Sequence, residues 1–320
     1  MPITNLTVID EAKKIGFSLI GFTPVKKLSN EINYYKEWLK NGRNGKMAYL
    51  ETKLNQREDP SIIFEKTKSV ISVGLNYYSG EKYSGLKNKY KISRYAWGKD
   101  YHFVMWDKLK LLIEKLKEYD NSFDAVYYVD TGPVLDKVWA VNSGLGWMGK
   151  NTNIINKKIG SWFFIGNIFC NLEFNKYDKK VPDFCGSCNK CITSCPTNAL
   201  IDNYKIDASR CISYLNIENK EEIPVEFLNK FDNWLIGCDI CQQVCPWNIK
   251  FSQKTEEINF IEGKNVEFED NELINFTSKE FKIKFKDSPI LRPKLKGVIR
   301  NLNFNKLSND RNLFKENESN

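Results

Sequence analysis

About the first 175 residues alternate short apolar runs with amphipathic stretches, the pattern of a mixed α/β unit. "TNLTVIDEAKKIG" (Thr4 to Gly16) predicts an opening helix, and "FSLIGFTPV" (Phe17 to Val25) a short strand stopped at Pro24. "SVISVGLNYY" (Ser69 to Tyr78) reads as a second strand. In "MWDKLKLLIEKLKEY" (Met105 to Tyr119), Trp106, Leu109, Leu112, Ile113, Leu116 and Tyr119 recur at helical spacing with lysines between them, a stripe that faces a core. "AVYYV" (Ala125 to Val129) and "GSWFFIGNIF" (Gly160 to Phe169) predict two further strands of the same sheet. The polar "NKYDKKVPD" (Asn175 to Asp183) reads as a linker. Beyond Pro246 the chain becomes less regular and more charged, and the last residues, "SNDRNLFKENESN" (Ser308 to Asn320), are expected to fray. The expected organisation is α+β or α/β: a mixed α/β domain over 1–178, a smaller unit over 179–255 and a short basic region over 256–320.

A chain of 320 residues suits two or three domains with a substantial core. Its 42% hydrophobic and 28% charged residues are ordinary for a globular protein. "SWFFIGNIF" (Ser161 to Phe169) is the longest apolar stretch and is too short to span a bilayer. The N-terminus lacks a basic segment followed by an apolar core, so a cytoplasmic enzyme with no membrane partner is expected. A net charge of +8 favours polyanionic partners, a property shared with many unrelated proteins.

Cysteine placement changes the picture more. All nine cysteines fall between Cys170 and Cys245, and His102 is the sole histidine. Metal ligation therefore explains them better than disulfides, and a multi-histidine site is excluded. Cys185, Cys188, Cys191 and Cys195, followed by Pro196, make the C-x2-C-x2-C-x3-C-P run of bacterial iron–sulfur ferredoxins. A second run holds Cys238, Cys241 and Cys245 before Pro246, but Leu235 stands where its first cysteine belongs. In two-cluster ferredoxins the fourth cysteine of each run serves the other cluster. That rule groups Cys185, Cys188, Cys191 and Cys245 on one [4Fe–4S] cluster and Cys195, Cys238 and Cys241 on another, with Cys211 of "RCISYL" available as the missing ligand. A single cluster, or zinc held by paired C-x2-C motifs, are the alternatives, and zinc suits the four-cysteine run poorly. Cys170 is left as a buried structural thiol. Clusters imply electron transfer, and the larger N-terminal unit is where the electrons would be used. "GLGWMG" (Gly144 to Gly149) matches the letters of a dinucleotide fingerprint but follows a helix rather than a strand, which argues against that use.

"SRYAWGKDYH" (Ser93 to His102), "YVDTGPVLDKVWAVNSGLGWMGKNT" (Tyr128 to Thr152), "CGSCNKCITSCPTNAL" (Cys185 to Leu200), "RCISYL" (Arg210 to Leu215), "GCDICQQVCPWN" (Gly237 to Asn248) and "SPILRPKLKGVIRN" (Ser288 to Asn301) together resemble the epoxyqueuosine reductase family. The resemblance covers most of residues 1–250 and a short C-terminal piece, in the compact form without a full helical-repeat domain. It implies a cobalamin-binding catalytic domain followed by a ferredoxin-like domain with two [4Fe–4S] clusters. It further implies two-electron removal of the epoxide oxygen from epoxyqueuosine at the wobble position of tRNA, with electrons from an external donor and a monomeric enzyme.

The family's proton donor falls on Asp130 in "VDTGP", where partial burial is expected to raise its pKa. Read from the residues alone, Asp130 could equally order the turn before Pro133. The cobalamin contacts implied by resemblance are Arg57, Ser93, Asp130, Lys150, Asn151, Ile154, Ile165, Phe169 and Ser213. No D-x-H-x-x-G pattern is present, so His102 reads as a structural or pocket-lining residue rather than a cobalt ligand. The tRNA candidates are Lys190, Arg210, Arg292, Lys294, Lys296 and Arg300, four of them concentrated in "LRPKLKGVIRN". Two rival readings remain at this level: a cobalamin-dependent reductive dehalogenase-like enzyme, and a ferredoxin-like electron carrier with an appended binding domain.

Overall fold

The computed structural model describes residues 2–318. Four antiparallel strands form the main sheet, in the order Leu19–Pro24, Ser69–Asn76, Phe163–Cys170, Ala125–Tyr128. Every residue of Ser69–Asn76 is buried, because helices cover both faces of that strand. On one face, Val8 and Ala12 of the opening helix (Asn5–Ile15) and Met105, Leu109, Leu112 and Leu116 of the long helix (Tyr101–Tyr119) pack on Ile71, Val73 and Ile168. On the other, Trp139 of the helix Asp136–Asn142 packs on Val70 and Phe169. The opening helix begins at a capping box between Thr4 and Thr7 and ends at Gly16, whose φ of 103° suits glycine. Each element expected in the first 178 residues is present. Cys170 is a buried thiol on the last residue of its strand, its pKa pushed up by burial to about 12.

A second sheet joins the rest of the chain. Tyr90–Ile92 lies in its centre, parallel to Trp234–Ile236 and antiparallel to Glu267–Phe268. Its three strands come one each from the segments 1–178, 179–255 and 256–320. Sequence pattern did not reveal it, since strands of two or three residues carry no periodicity.

The C-terminal region is more ordered than its composition suggests. Lys294–Glu318 is one helix of 25 residues, so fraying from Ser308 is not observed; Ser319 and Asn320 lie outside the described residues. Val298 and Leu302 enter the core formed by Ile92, Leu235, Phe281 and Phe285. Asn301 Nδ2 donates to the carbonyls of Asn216 (2.7 Å) and Leu235 (3.0 Å). Asn216 in turn exchanges two 2.9 Å hydrogen bonds with the backbone of Gly237, immediately before Cys238. The helix thereby buttresses the backbone that presents the second cysteine run.

Candidate active site and cluster cavities

All nine cysteines are free thiols. Cys185, Cys188, Cys191 and Cys245 line one cavity of about 360 Å³. Cys195, Cys211, Cys238 and Cys241 line another of about 290 Å³. The threading places each fourth cysteine in the opposite set, with Cys211 in the gap left by Leu235. Leu235 itself is fully buried in the core beside Ile236. Among the described residues no three Cys, His, Asp or Glu side chains converge as a single ion requires. The thiols instead ring two spaces, the arrangement a cubane demands and a zinc ion at about 2.3 Å from each sulfur does not.

Burial pushes the thiols of Cys185, Cys191, Cys211, Cys238, Cys241 and Cys245 upward, and neighbouring cysteines add to the shift at Cys241. Four thiolates around a buried space need cations to compensate them, which iron provides. Local geometry supports this wall. Gly237 has φ of 68°, and a Cβ there would lie 2.5 Å from Ser93 Cβ. The Trp147 indole N–H is buried without a hydrogen-bond partner among the described residues, and it favours the Cys185 thiolate against the upward push of burial.

Asp130 follows the strand Ala125–Tyr128 at the apex of a loop, with φ of 59°, a left-handed conformation that Asp tolerates better than most residues. Two residues on, any side chain at Gly132 would strike the Tyr128 ring. Tyr101 Oη donates to Asp130 Oδ2 at 2.7 Å. The Tyr101 ring is anchored by parallel stacking on Phe164, with centroids 4.2 Å apart. Burial first, and then the Asp130 charge, hold the Tyr101 pKa well above the ordinary phenol value, so its hydroxyl remains a donor. His102 pairs Nδ1 with Asp100 at 2.8 Å and points Nε2 toward Asp130 at 3.9 Å. That Nε2 is buried with no hydrogen-bond partner among the described residues, a polar atom a bound molecule would satisfy. His102 is thus both locally fixed and pocket-lining. The partial burial expected for Asp130 is not found: its side chain is 72% exposed, because the loop apex projects from the sheet end and only Tyr101 holds it. Tyr101 was missed in the sequence; its place between Asp100 and His102 at a helix start was the available signal.

The remaining expected contacts divide. Ser93, Asn151 and Ser213 line the same cavity as the Cys195 set, together with Tyr95 and Lys137. Ser93 also donates to the buried Asp239 between Cys238 and Ile240, so it has a structural bond as well. Arg57 is buried beside Tyr35, its guanidinium 5.7 Å from the ring centroid. Lys150 lies at the other cavity, with Nζ on the Gly186 carbonyl at 2.7 Å. Phe169 and Ile154 are packed into core clusters on the sheet, and Ile165 packs against the cluster containing Ile154, so the side chains of Phe169 and Ile154 present almost no surface.

The basic candidates divide too. Arg300 is spent on the carbonyls of Leu215, Asn219 and Glu221, which corrects its reading as a phosphate contact. Arg210 is held by the Thr197 carbonyl at 3.0 Å and by Phe227. Lys190 is exposed next to Cys191 on the helix Lys190–Thr193. Arg292 makes a two-point pair with Glu218, at 2.8 and 3.2 Å. Lys294 and Lys296 are exposed.

Two family descriptions match the chain: "Epoxyqueuosine reductase QueG, DUF1730" over residues 57–131, and "4Fe-4S double cluster binding domain" over residues 184–248. The epoxyqueuosine reductase of Leadbetterella byssophila is 44% identical over 294 residues, covering 92% of this chain and 95% of the relative. The chain belongs to the epoxyqueuosine reductase family. The family member of Pseudomonas aeruginosa is 35% identical, covering 92% of this chain and 83% of its own. The solved epoxyqueuosine reductase of Streptococcus thermophilus superposes with a TM-score of 0.86 at 29% identity, over 95% of this chain and 80% of that one. A crystal structure of epoxyqueuosine reductase with an epoxyqueuosine-modified tRNA-Tyr stem loop superposes at 0.84 with 31% identity, over 93% and 79%. Family membership sets aside the carrier and dehalogenase readings. Among the described residues no helix is long and apolar enough to cross a membrane.

Proposed function

We propose that this chain reduces epoxyqueuosine to queuosine at the wobble position of tRNA, with two [4Fe–4S] clusters and cobalamin as its redox groups and Asp130 as proton donor. Cys185, Cys188, Cys191 and Cys245 hold the first cluster in this reading, and Cys195, Cys211, Cys238 and Cys241 the second. Converting an epoxide to an alkene consumes two electrons and two protons, and the oxygen leaves as water. Cobalamin, when bound, supplies a strongly reducing cobalt centre. In this reading it would sit beside the second cluster against the wall of Ser93, Asn151 and Ser213, where Ser93 is bonded to Asp239 and Asn151 to the Cys241 carbonyl. Tyr101 fixes the Asp130 carboxyl at the open end of the site, and His102 Nε2 offers a second polar contact there. The observation that supports the reading is the shared cavity wall: Ser93 and Ser213 line the space of the second cysteine set, and Asn151 lines the spaces of both sets.

A solved relative carries a modified tRNA stem loop. Of the basic candidates on this chain, Lys190, Lys294 and Lys296 are exposed and would meet its phosphates, whereas Arg292 is paired with Glu218. Asp130→Asn tests the mechanism. Epoxide reduction should fall by roughly 10²–10⁴-fold, the usual worth of a positioned acid, with iron and cobalt content unchanged. Full activity in that variant would remove Asp130 from the chemistry.

A further inference from the structure

Electrons must enter from outside, and the cluster farther from the substrate is the natural entrance. The second cluster's cavity is shared with Ser93, Tyr95 and Ser213, whereas the first is lined by none of them. Around the first cavity the surface has a distinct chemistry. Phe184, Trp247, Phe251 and Lys250 line it directly. Phe184 is 36% exposed, and Trp247 and Phe251 share one face of the helix Pro246–Phe251 that follows Cys245. Trp247 stacks on Phe251 at 5.2 Å and meets Trp147 edge-on at 5.0 Å, so the apolar patch is rigid. Lysines rim it: Lys157 Nζ lies 3.4 Å from the Phe184 ring centroid, and Lys250 Nζ 5.3 Å from that of Phe251. Lys157, Lys190 and Lys250 are exposed, with no ion pair to a described carboxylate. Asp183, the nearby acid, is engaged by Tyr204 and by the Cys185 N–H.

We infer that this face, centred on Phe184, Trp247 and Phe251 and rimmed by Lys157 and Lys250, docks an acidic one-electron carrier protein that reduces the first cluster. The inference rests on the cysteine assignment proposed above. A small apolar centre with a charged rim is the build of a weak, transient redox interface. Its positive rim would steer an acidic partner on a chain whose net charge is already +8. A carrier seated there has only the cavity's own lining between its redox centre and the cysteines. Each encounter moves one electron, oxidising the carrier and reducing the cluster, so two encounters supply one turnover.

The test is rapid-mixing of the oxidised, cluster-loaded enzyme with a reduced, acidic plant-type [2Fe–2S] ferredoxin, following cluster reduction by absorbance. Lys157→Glu with Lys250→Glu should slow that reduction at least tenfold at low salt and flatten its salt dependence. Phe184→Ser, with its iron content checked against wild type, should slow it at every salt concentration. Dithionite, too small to need the surface, should reduce wild type and variants at equal rates, and the variants should bind tRNA as wild type does. An unchanged rate with ferredoxin overturns the inference. A loss of tRNA affinity with ferredoxin reduction intact also overturns it, and makes the face an RNA surface. Iron content and dithionite-driven turnover on epoxyqueuosine tRNA report separately on the proposed function: if either is absent in wild type, that reading fails first.

Discussion

Asp136 shows how a single residue is set by its surroundings. It is half-buried at the first position of its helix and accepts from Asn167 Nδ2 at 2.9 Å; Asn167 in turn accepts from Ser72. Burial, followed by the nearby Asp130 charge, raises its pKa to about 7. The unfolded value is ~3.9, so between about pH 4 and 7 the folded chain binds the extra proton. Stability therefore falls as pH rises through that window and levels off above it. Asp136→Asn should remove this slope, as read by urea unfolding across pH; a variant with the wild-type profile would place the dependence elsewhere. At this scale the sequence was uneven. The grouping of the cysteines around two spaces was legible because covalent spacing limits where a thiol can reach. Lys150 and Arg300 were not, because a long cation takes whichever carbonyls the tertiary fold brings to it, Gly186 for one and Leu215, Asn219 and Glu221 for the other.

Among the elements, the C-terminal helix Lys294–Glu318 carries the largest consequence. Its Asn301 is fully buried and satisfies two carbonyls, and the chain of bonds continues through Asn216 to Gly237. Asn301→Leu leaves those carbonyls unpaired, at roughly 1–3 kcal/mol each. The variant should unfold at lower denaturant and, because Cys211 and Cys238 flank the disturbed backbone, its iron should fall from about eight atoms per chain toward about four. Iron retained at the wild-type level would show that the cysteine backbone does not depend on this helix. The elements of the main sheet could be read from sequence because the helices bury one face over several turns and the central strands are continuous apolar runs buried on both faces. The C-terminal helix hid its role: its bonds to the backbone before the second cysteine run are made by Asn301, which counts as polar in any pattern, and those partners lie some 65–85 residues earlier in the chain.

For the molecule as a whole, the two ends of the electron path face different partners. Lys294 and Lys296 are expected to serve tRNA: replacing each by alanine should weaken binding across tRNA sequences and lower the slope of log affinity against log salt by up to about one. Arg300→Ala should instead destabilise the fold, since its guanidinium faces backbone; a pure loss of tRNA affinity there would contradict that. Cofactor and substrate were legible at this scale only through the assembled motifs. The sheet of Tyr90–Ile92, Trp234–Ile236 and Glu267–Phe268, with one strand from each third of the organisation, has a final consequence. A protease cutting between Asn175 and Asp183 would nick the enzyme without splitting it, because the halves remain hydrogen-bonded along Tyr90–Ile92. By the same logic, relatives could not exchange the cluster-bearing segment as a cassette: the graft would have to arrive already matched to a strand on the far side of the cut.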